Sequence, residues 1–339
     1  AVYVIAEVGS NHNRDFACAQ GLIDAAADAG ADAVKFQTFY ADDFIPASVM
    51  PADYGLEDVY PGKSWQEVLR ERLILPFDWY PELVAYVRQR GLDFVATVHG
   101  RRSLEFVMRF QPRAIKIASM DLTNTPLLQT VSRAGVPMLV SLGMGSWADI
   151  ERAVAAVESE GPTDLTLMHC VSEYPTDYEN LNLRFLSVLA ATFAKPVGFS
   201  DHSLGVVSSV AAVALGARTI EKHITLDRNA PGPDHSFALE PRDLQRLVRE
   251  VRQASQSLGT ARRIVSPGER RNVQRYRRRA VARGPLARGT VLGPEHIALK
   301  RPGCGIAPFE MDRLWGRSLL CDLDDEQPLT WHCVGDSQS

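Results

Sequence analysis

Eight short runs rich in β-branched residues, each followed by an Ala- or Leu-rich helical stretch, recur from the first residue to residue 260, and this alternation restricts the chain to parallel βα units. The runs are Val2–Val8, Ala33–Thr38, Asp93–Thr97, Ala114–Ala118, Met138–Leu142, Leu165–Cys170, Val197–Ser200 and Thr219–His223. The helical stretches include Phe16–Ala29, Asp78–Arg90, Leu104–Phe110 and Asp243–Leu258. Eight units in about 250 residues predict an α/β fold of the (β/α)8 TIM-barrel type. A doubly wound sheet is the competitor, and it usually has fewer strands. Two longer insertions, Tyr40–Pro76 and Val171–Asn182, fall on the strand-exit side, where barrels build their sites.

Near residue 260 the pattern stops. Ser266, Pro267 and Gly268 read as a break, and a basic run from Arg270 to Arg283 follows. Beyond it, strand-like pieces at Arg279–Arg283 and Leu319–Cys321 are punctuated by Gly289, Pro294, Pro302, Gly303 and Gly305. The expected organisation is a catalytic barrel over residues 1–262, a linker over 263–278 and a small β-rich domain over 279–339. The basic run reads as a solvated connector, because only Tyr276 accompanies it as an aromatic platform. A formal net charge of −4 likewise advertises no nucleic acid partner. Residues 1–9 lack the charged start and apolar run of a leader, and no apolar stretch approaches the roughly 18 residues of a membrane span. Five widely spaced cysteines without a CxxC pair fit a reducing compartment, so a soluble cytoplasmic protein is expected.

Polar residues that a core strand should not contain gather where the strands end. Glu7 closes the first strand, with Asn11 and His12 just beyond; Lys35 and Gln37 lie on the second, Lys116 and Ser119 at the fourth, and Ser141 and Gly143 at the fifth. Ser200 and His202 end the seventh strand, and Glu221 and His223 the eighth. Strands seven and eight are neighbours in a closed barrel, so both imidazoles can reach one ion, leaving positions for water and substrate oxygens. Structural or general-acid roles for them stay open. Two lysines projecting into one barrel mouth call for anions to pair with, such as a phosphate and a carboxylate. The rival use of one of them is Schiff-base formation.

The motifs AEVGSNHN (Ala6–Asn13), AGADAVKFQTF (Ala29–Phe39), KIAS (Lys116–Ser119), SLGM (Ser141–Met144), HCVSEYP (His169–Pro175), GFSDHSLG (Gly198–Gly205), ALGARTIEKHITLDR (Ala214–Arg228) and GPDHSFALEP (Gly232–Pro241) appear in order along nearly the whole chain. In these the sequence resembles the sialic acid synthases, including legionaminate and pseudaminate synthases. With KRPGCGI (Lys300–Ile306), the tail resembles their small antifreeze-like (SAF) domain. The resemblance implies condensation of phosphoenolpyruvate with the aldehyde of an N-acetylated hexosamine, forming a C–C bond, breaking a C–O bond and releasing phosphate. It implies a divalent ion, Mn2+ or Mg2+, on His202 and His223. Lys35, Lys116, Ser119, Ser141, Gly143 and Ser200 would hold phosphoenolpyruvate, with Thr97 nearby; Glu7, Gln37 and Glu221 would surround the reacting carbons, and Tyr174 and Asp234 the sugar. It also implies a homodimer with a swapped C-terminal domain, whose Arg301 reaches the acceptor in the partner barrel.

Three positions depart from the family pattern. Ala96–Gly100 reads Ala-Thr-Val-His-Gly where many bacterial members have a Thr-Pro-Phe stretch, which leaves His99 unexplained; Leu142 replaces a hydroxyl residue; and the bulk of Phe237 is expected to reshape the acceptor pocket in favour of a deoxy sugar. Two other readings are kept beside the synthase: a phosphoenolpyruvate-dependent 3-deoxy-ulosonic acid synthase using a different aldehyde, and a carbohydrate-binding protein that has kept the barrel.

Overall fold

Alternate residues of a strand face opposite sides, so a closed barrel sorts each strand into residues that meet the surrounding helices and residues that meet inside. The computed structural model describes residues 2–54 and 61–336; residues 55–60 of the Tyr40–Pro76 insertion lie outside the described residues. Strands β1 (Tyr3–Glu7), β2 (Ala33–Thr38), β3 (Asp93–Val98), β4 (Ala114–Ile117), β5 (Met138–Ser141), β6 (Leu165–Cys170), β7 (Val197–Asp201) and β8 (Thr219–His223) form a closed parallel barrel in sequence order. The expected (β/α)8 barrel is therefore the fold. Closure sets Tyr3 opposite Thr219 and Glu7 opposite His223.

The strands alternate with helices α1 (Phe16–Asp28), α2 (Tyr80–Gln89), α3 (Arg101–Met108), α4 (Thr125–Arg133), α5 (Trp147–Glu158), α6 (Phe185–Phe193), α7 (Val207–Ala214) and α8 (Pro241–Leu258). Local chemistry starts several of them: Asp15 accepts from the Cys18 amide ahead of α1, and Ser146 and Asp149 form a capping box on α5. Outward strand residues such as Val4, Ala6, Val34, Phe36 and Ile117 pack with helix residues such as Leu22, Leu83, Leu128 and Leu247 into the main core.

Inside, Ile5, Ala33, Val95, Ala114, Leu139 and Met168 form a separate apolar layer. Gly198 leaves room for it, because a Cβ there would stand 2.3 Å from the Met168 sulfur. Two residues further along each of these strands, in the same inward register, come Glu7, Lys35, Thr97, Lys116, Ser141, Cys170 and Ser200, joined on β8 by Glu221. An apolar plug thus closes the barrel below a ring of polar side chains, and the strand period alone aims that ring at one point.

By internal contacts the chain divides into two units, Ala1–Gly259 and Thr260–Ser339. In the second unit, a helix α9 (Pro267–Tyr276) occupies most of the expected linker. Ser266 and Pro267, read from sequence as a break, are its start signals: the Ser266 side chain and Glu269 form a capping box, and proline at the first turn needs no amide partner. None of its residues is buried, which explains why it carries no apolar stripe. Beyond it, β9 (Arg279–Ala282) pairs antiparallel with β10 (Ile297–Lys300), and β11 (Ser318–Leu319) with β12 (Val334–Gly335). Ala280, Ala282, Leu292, Ile297, Ile306, Leu314 and Leu329 supply this unit's own core. No described helix is long and apolar enough to cross a membrane.

Candidate active site

The polar ring is a connected lattice. Lys35 Nζ lies 2.6 Å from Glu7 Oε2, donates to Thr97 Oγ1 at 2.7 Å and stands 3.7 Å from Glu221 Oε1. Lys116 Nζ donates to Glu221 Oε2 at 2.7 Å, Ser200 Oγ to Glu221 Oε1 at 3.0 Å, and Gln37 Nε2 to Glu7 Oε1 at 2.7 Å. These two carboxylates and two ammoniums are all nearly inaccessible to water. Burial pushes the Glu7 carboxyl up, against the opposing pull of Lys35. Burial also acts upward on Glu221, but Lys116 and Lys35 overcome it and hold this carboxyl well below the usual range. Two chemically identical acids are thus split, one toward its protonated form and one firmly ionised. For Lys35, burial acts downward and the carboxylates of Glu221 and Glu7 more than reverse it, so its amine stays an ammonium. That state is wrong for a Schiff-base nucleophile.

Across the mouth, just past β7 and at the end of β8, the His202 and His223 rings lie 5.5 Å apart. His202 Nδ1 is 3.0 Å from the Val171 carbonyl, which fixes its ring, while His223 Nδ1 is buried without a hydrogen-bond partner. Burial lowers His223 to about 4, so its nitrogen lone pair is available at neutral pH. An orphaned buried nitrogen on a neutral imidazole beside a second imidazole suits a divalent ion. Among the described residues no set of three or more His, Cys, Asp or Glu side chains is arranged to hold a metal. The pair therefore fits an ion that keeps positions for water and substrate oxygens.

A third group lies at the exits of β4 to β6. Ser119 Oγ accepts from the Gly143 amide at 3.1 Å and lies 3.6 Å from Cys170 Sγ. Gly143 has no side chain because none fits: a Cβ would fall 2.4 Å from Ser172 Oγ and 2.6 Å from Ser119 Oγ. Ser172 Oγ is itself buried without a partner. Hydroxyls and an amide gathered here make a cradle for anionic oxygens.

One cavity is lined by Glu7, Lys35, Gln37, Thr97, Lys116, Ser119, Ser141, Tyr174, Ser200, His202, Glu221 and His223, all named from sequence. Asp234 is not on this wall; it stands 3.8 Å from His223 Nδ1 and accepts from the Ser10 amide and hydroxyl. Arg301 belongs to the second unit, where its guanidinium sits 5.9 Å from the Tyr276 ring centre. Phe237 is buried and packs 5.0 Å from the His223 ring and 5.4 Å from the Tyr174 ring, against two side chains that line the cavity. Cys170 and Met120 also line the cavity, and Ser172 joins the cradle, although sequence reasoning passed over all three. For Ser172 a signal was present in the HCVSEYP segment, directly beyond β6.

A model of the NeuB family matches residues 22–263, and an SAF-domain model matches residues 277–335. The chain belongs to the NeuB family. Among its NeuB-family relatives, the N,N'-diacetyllegionaminic acid synthase of Legionella pneumophila is 35% identical over 98% of this chain and 94% of its own. The human N-acetylneuraminate-9-phosphate synthase is 32% identical over 96% of this chain and 90% of its own. A solved N-acetylneuraminic acid synthetase from Leptospira borgpetersenii, crystallised with citrate, superposes with a TM-score of 0.70 at 30% identity, covering 80% of this chain and 90% of that one. The SAF-domain match falls in the second unit, with its separate core and small antiparallel sheets.

Proposed function

We propose that this NeuB-family chain is a nonulosonic acid synthase that condenses phosphoenolpyruvate with the aldehyde of an N-acetylated hexosamine. The observation that carries the reading is the buried lattice in which Lys35 and Lys116 are held by Glu7 and Glu221 in one cavity, facing the two imidazoles of His202 and His223. A metabolite-binding protein has no use for four desolvated charges at one point. A reaction that moves negative charge between a carboxylate, a phosphate and a new alkoxide does.

His202 and His223 would hold a divalent manganese or magnesium ion, which supplies Lewis-acid polarisation of the aldehyde when bound. The ammoniums of Lys35 and Lys116 hold the phosphoenolpyruvate anion, with Ser119, Ser172 and the Gly143 amide receiving its phosphate oxygens. Carbon 3 attacks the aldehyde carbon, and the cation left at carbon 2 is captured by water. Glu221, held ionised, stabilises that cation, while Glu7, pushed toward its protonated form, donates to the new alkoxide. Loss of phosphate from the tetrahedral intermediate gives the α-keto acid. The resemblance extends the reading to a homodimer in which Arg301 serves the partner's acceptor.

The test is phosphate release from phosphoenolpyruvate by metal-stripped enzyme with manganese restored, across N-acetylmannosamine, its 6-phosphate and the diacetamido-dideoxy hexoses. Release that needs both manganese and one of these sugars is expected. Silence with every sugar, together with release on a different aldehyde, transfers the assignment to the 3-deoxy-ulosonic acid class. Within the active enzyme, Gly143→Ala is expected to weaken phosphoenolpyruvate binding about 10- to 100-fold, the worth of one or two hydrogen bonds to a charged group, because the new methyl displaces the Ser119 and Ser172 hydroxyls. Calorimetric titration reads it, and unchanged affinity would remove the cradle from the binding site.

A further inference from the structure

His99 has no place in the lattice, the imidazole pair or the cradle, yet it lines the same cavity. It stands just beyond β3, and its Nδ1 lies 2.7 Å from Asp121 Oδ2. Its side chain is 5% exposed, with its ring edge-on to Phe39 at 5.4 Å and Phe44 at 4.8 Å. The partner carboxylate is itself fixed, since Asn124 Nδ2 donates to Asp121 Oδ1 at 3.1 Å. The imidazole thus has one nitrogen committed to an anchored carboxylate and two aromatic side walls. Among the described residues, Nε2 has no hydrogen-bond partner.

Its position along the wall is equally specific. Ser119, Met120 and Asp121 form a single 3-10 turn after β4. The first residue of that turn carries the cradle hydroxyl and the third carries the carboxylate that anchors His99. One turn therefore carries both the cradle hydroxyl and the anchor of His99, on the β3–β4 side of the barrel, with Ser119 and His99 lining the same cavity. The lysines that share this half of the cavity are committed to Glu7 and Glu221. A carboxylate on Nδ1 and a free Nε2 toward the reacting groups is the arrangement that makes histidine a proton carrier.

We propose that His99, oriented by Asp121, is the general acid for departure of phosphate, an inference that rests on the synthase reading above. As the tetrahedral intermediate collapses, the bond between carbon 2 and the bridging oxygen breaks and its electron pair leaves with the phosphate. The Nε2 proton passes to that bridging oxygen. The hydroxyl on carbon 2 becomes the ketone carbonyl and gives its proton to solvent, from which the imidazole is then reprotonated. Asp121 is the positioning residue, holding the ring so that Nε2 faces the cavity.

The experiment compares steady-state phosphate release by wild type, His99→Gln, His99→Ala and Asp121→Asn, each with its thermal melt. His99→Gln is expected to lower kcat about 100-fold or more, with KM for phosphoenolpyruvate changed only a few-fold. Asp121→Asn is expected to lower kcat by roughly tenfold with KM and melting temperature unmoved, a split that a packing role would not produce. Free imidazole is expected to restore part of the His99→Ala turnover, and the restored rate should track the basicity of ring-methylated imidazoles. If His99→Gln fails to fold, Asp121→Asn decides alone. Turnover of the folded variants within about threefold of wild type, or a loss confined to KM, overturns the proposal. A wild type silent on every aldehyde overturns the synthase reading and this inference together, whereas an active wild type with undiminished variants overturns this one only.

Discussion

Lys116→Met is expected to reduce phosphate release by about a thousandfold or more. Two effects add. The ammonium is withdrawn from the cavity that would receive a multiply charged substrate, and Glu221 loses the cation 2.7 Å from its Oε2. Left with Lys35 at 3.7 Å as its nearest ammonium, the Glu221 carboxyl rises and no longer meets the cation at carbon 2 as a full negative charge. Stability should fall as well, by about 3–5 kcal/mol, because breaking a buried pair strands its partner. The double variant Lys116→Met, Glu221→Gln separates the two effects: it should recover most of the stability and none of the turnover. Urea unfolding and phosphate release on the same preparations read both. A single variant that keeps more than a tenth of wild-type turnover would remove Lys116 from the chemistry. Equal stability of the single and double variants would mean that the pair is not desolvated.

The reason so much of the cavity is visible in the sequence is the strand period. Ile5 with Glu7, Ala33 with Lys35, Ala114 with Lys116 and Leu139 with Ser141 each place a polar side chain two residues beyond an apolar one, so the pattern that reveals a strand also reveals which residues share its inward face. What was not legible lies off the strands. Asp121 meets His99 only because a 3-10 turn reverses the chain after β4, and a residue so placed has no periodicity to announce it. Cys170 has the right period but reads as one more apolar core residue, its thiol direction being set by the barrel. Asp234 and Phe237 sit in the loop after β8, where motif position says nothing of which side of an imidazole a residue will take; both lie against His223. The Ser266–Pro267 start of α9 failed for a different reason: the same residues end one element and begin another, and only the Glu269 carboxylate returning to Ser266 distinguishes the two.

Stability is expected to fall steeply as pH drops from 6.5 toward 4, through histidines that the fold keeps neutral. His12 is fully buried, with Nδ1 accepting from the Arg14 amide at 2.9 Å, and burial, reinforced by Arg14, lowers it from 6.5 to about 4. Burial acts the same way on His223, and lowers His169 and His235. A histidine depressed in the folded state binds fewer protons there than in the unfolded chain. Its contribution is therefore complete above the unfolded value and shrinks as pH falls toward the folded one. A shift from 6.5 to about 4 corresponds to about 3 kcal/mol for His12 alone, a large share of the total stability of an ordinary domain. The two lattice acids act with opposite signs. Glu7, raised by burial, binds its proton more readily in the folded state and offsets part of the loss, whereas Glu221, held low by its lysines, adds to the loss below the usual carboxylate range. Because the histidines of the unfolded chain begin to take up protons above pH 6 while those of the folded chain stay neutral, the decline should start there. His12→Asn keeps an acceptor for the Arg14 amide and removes the titration, so its urea midpoint should be flatter between pH 7 and 4.5 than that of wild type. Parallel curves for the two proteins would assign the acid sensitivity to groups other than His12.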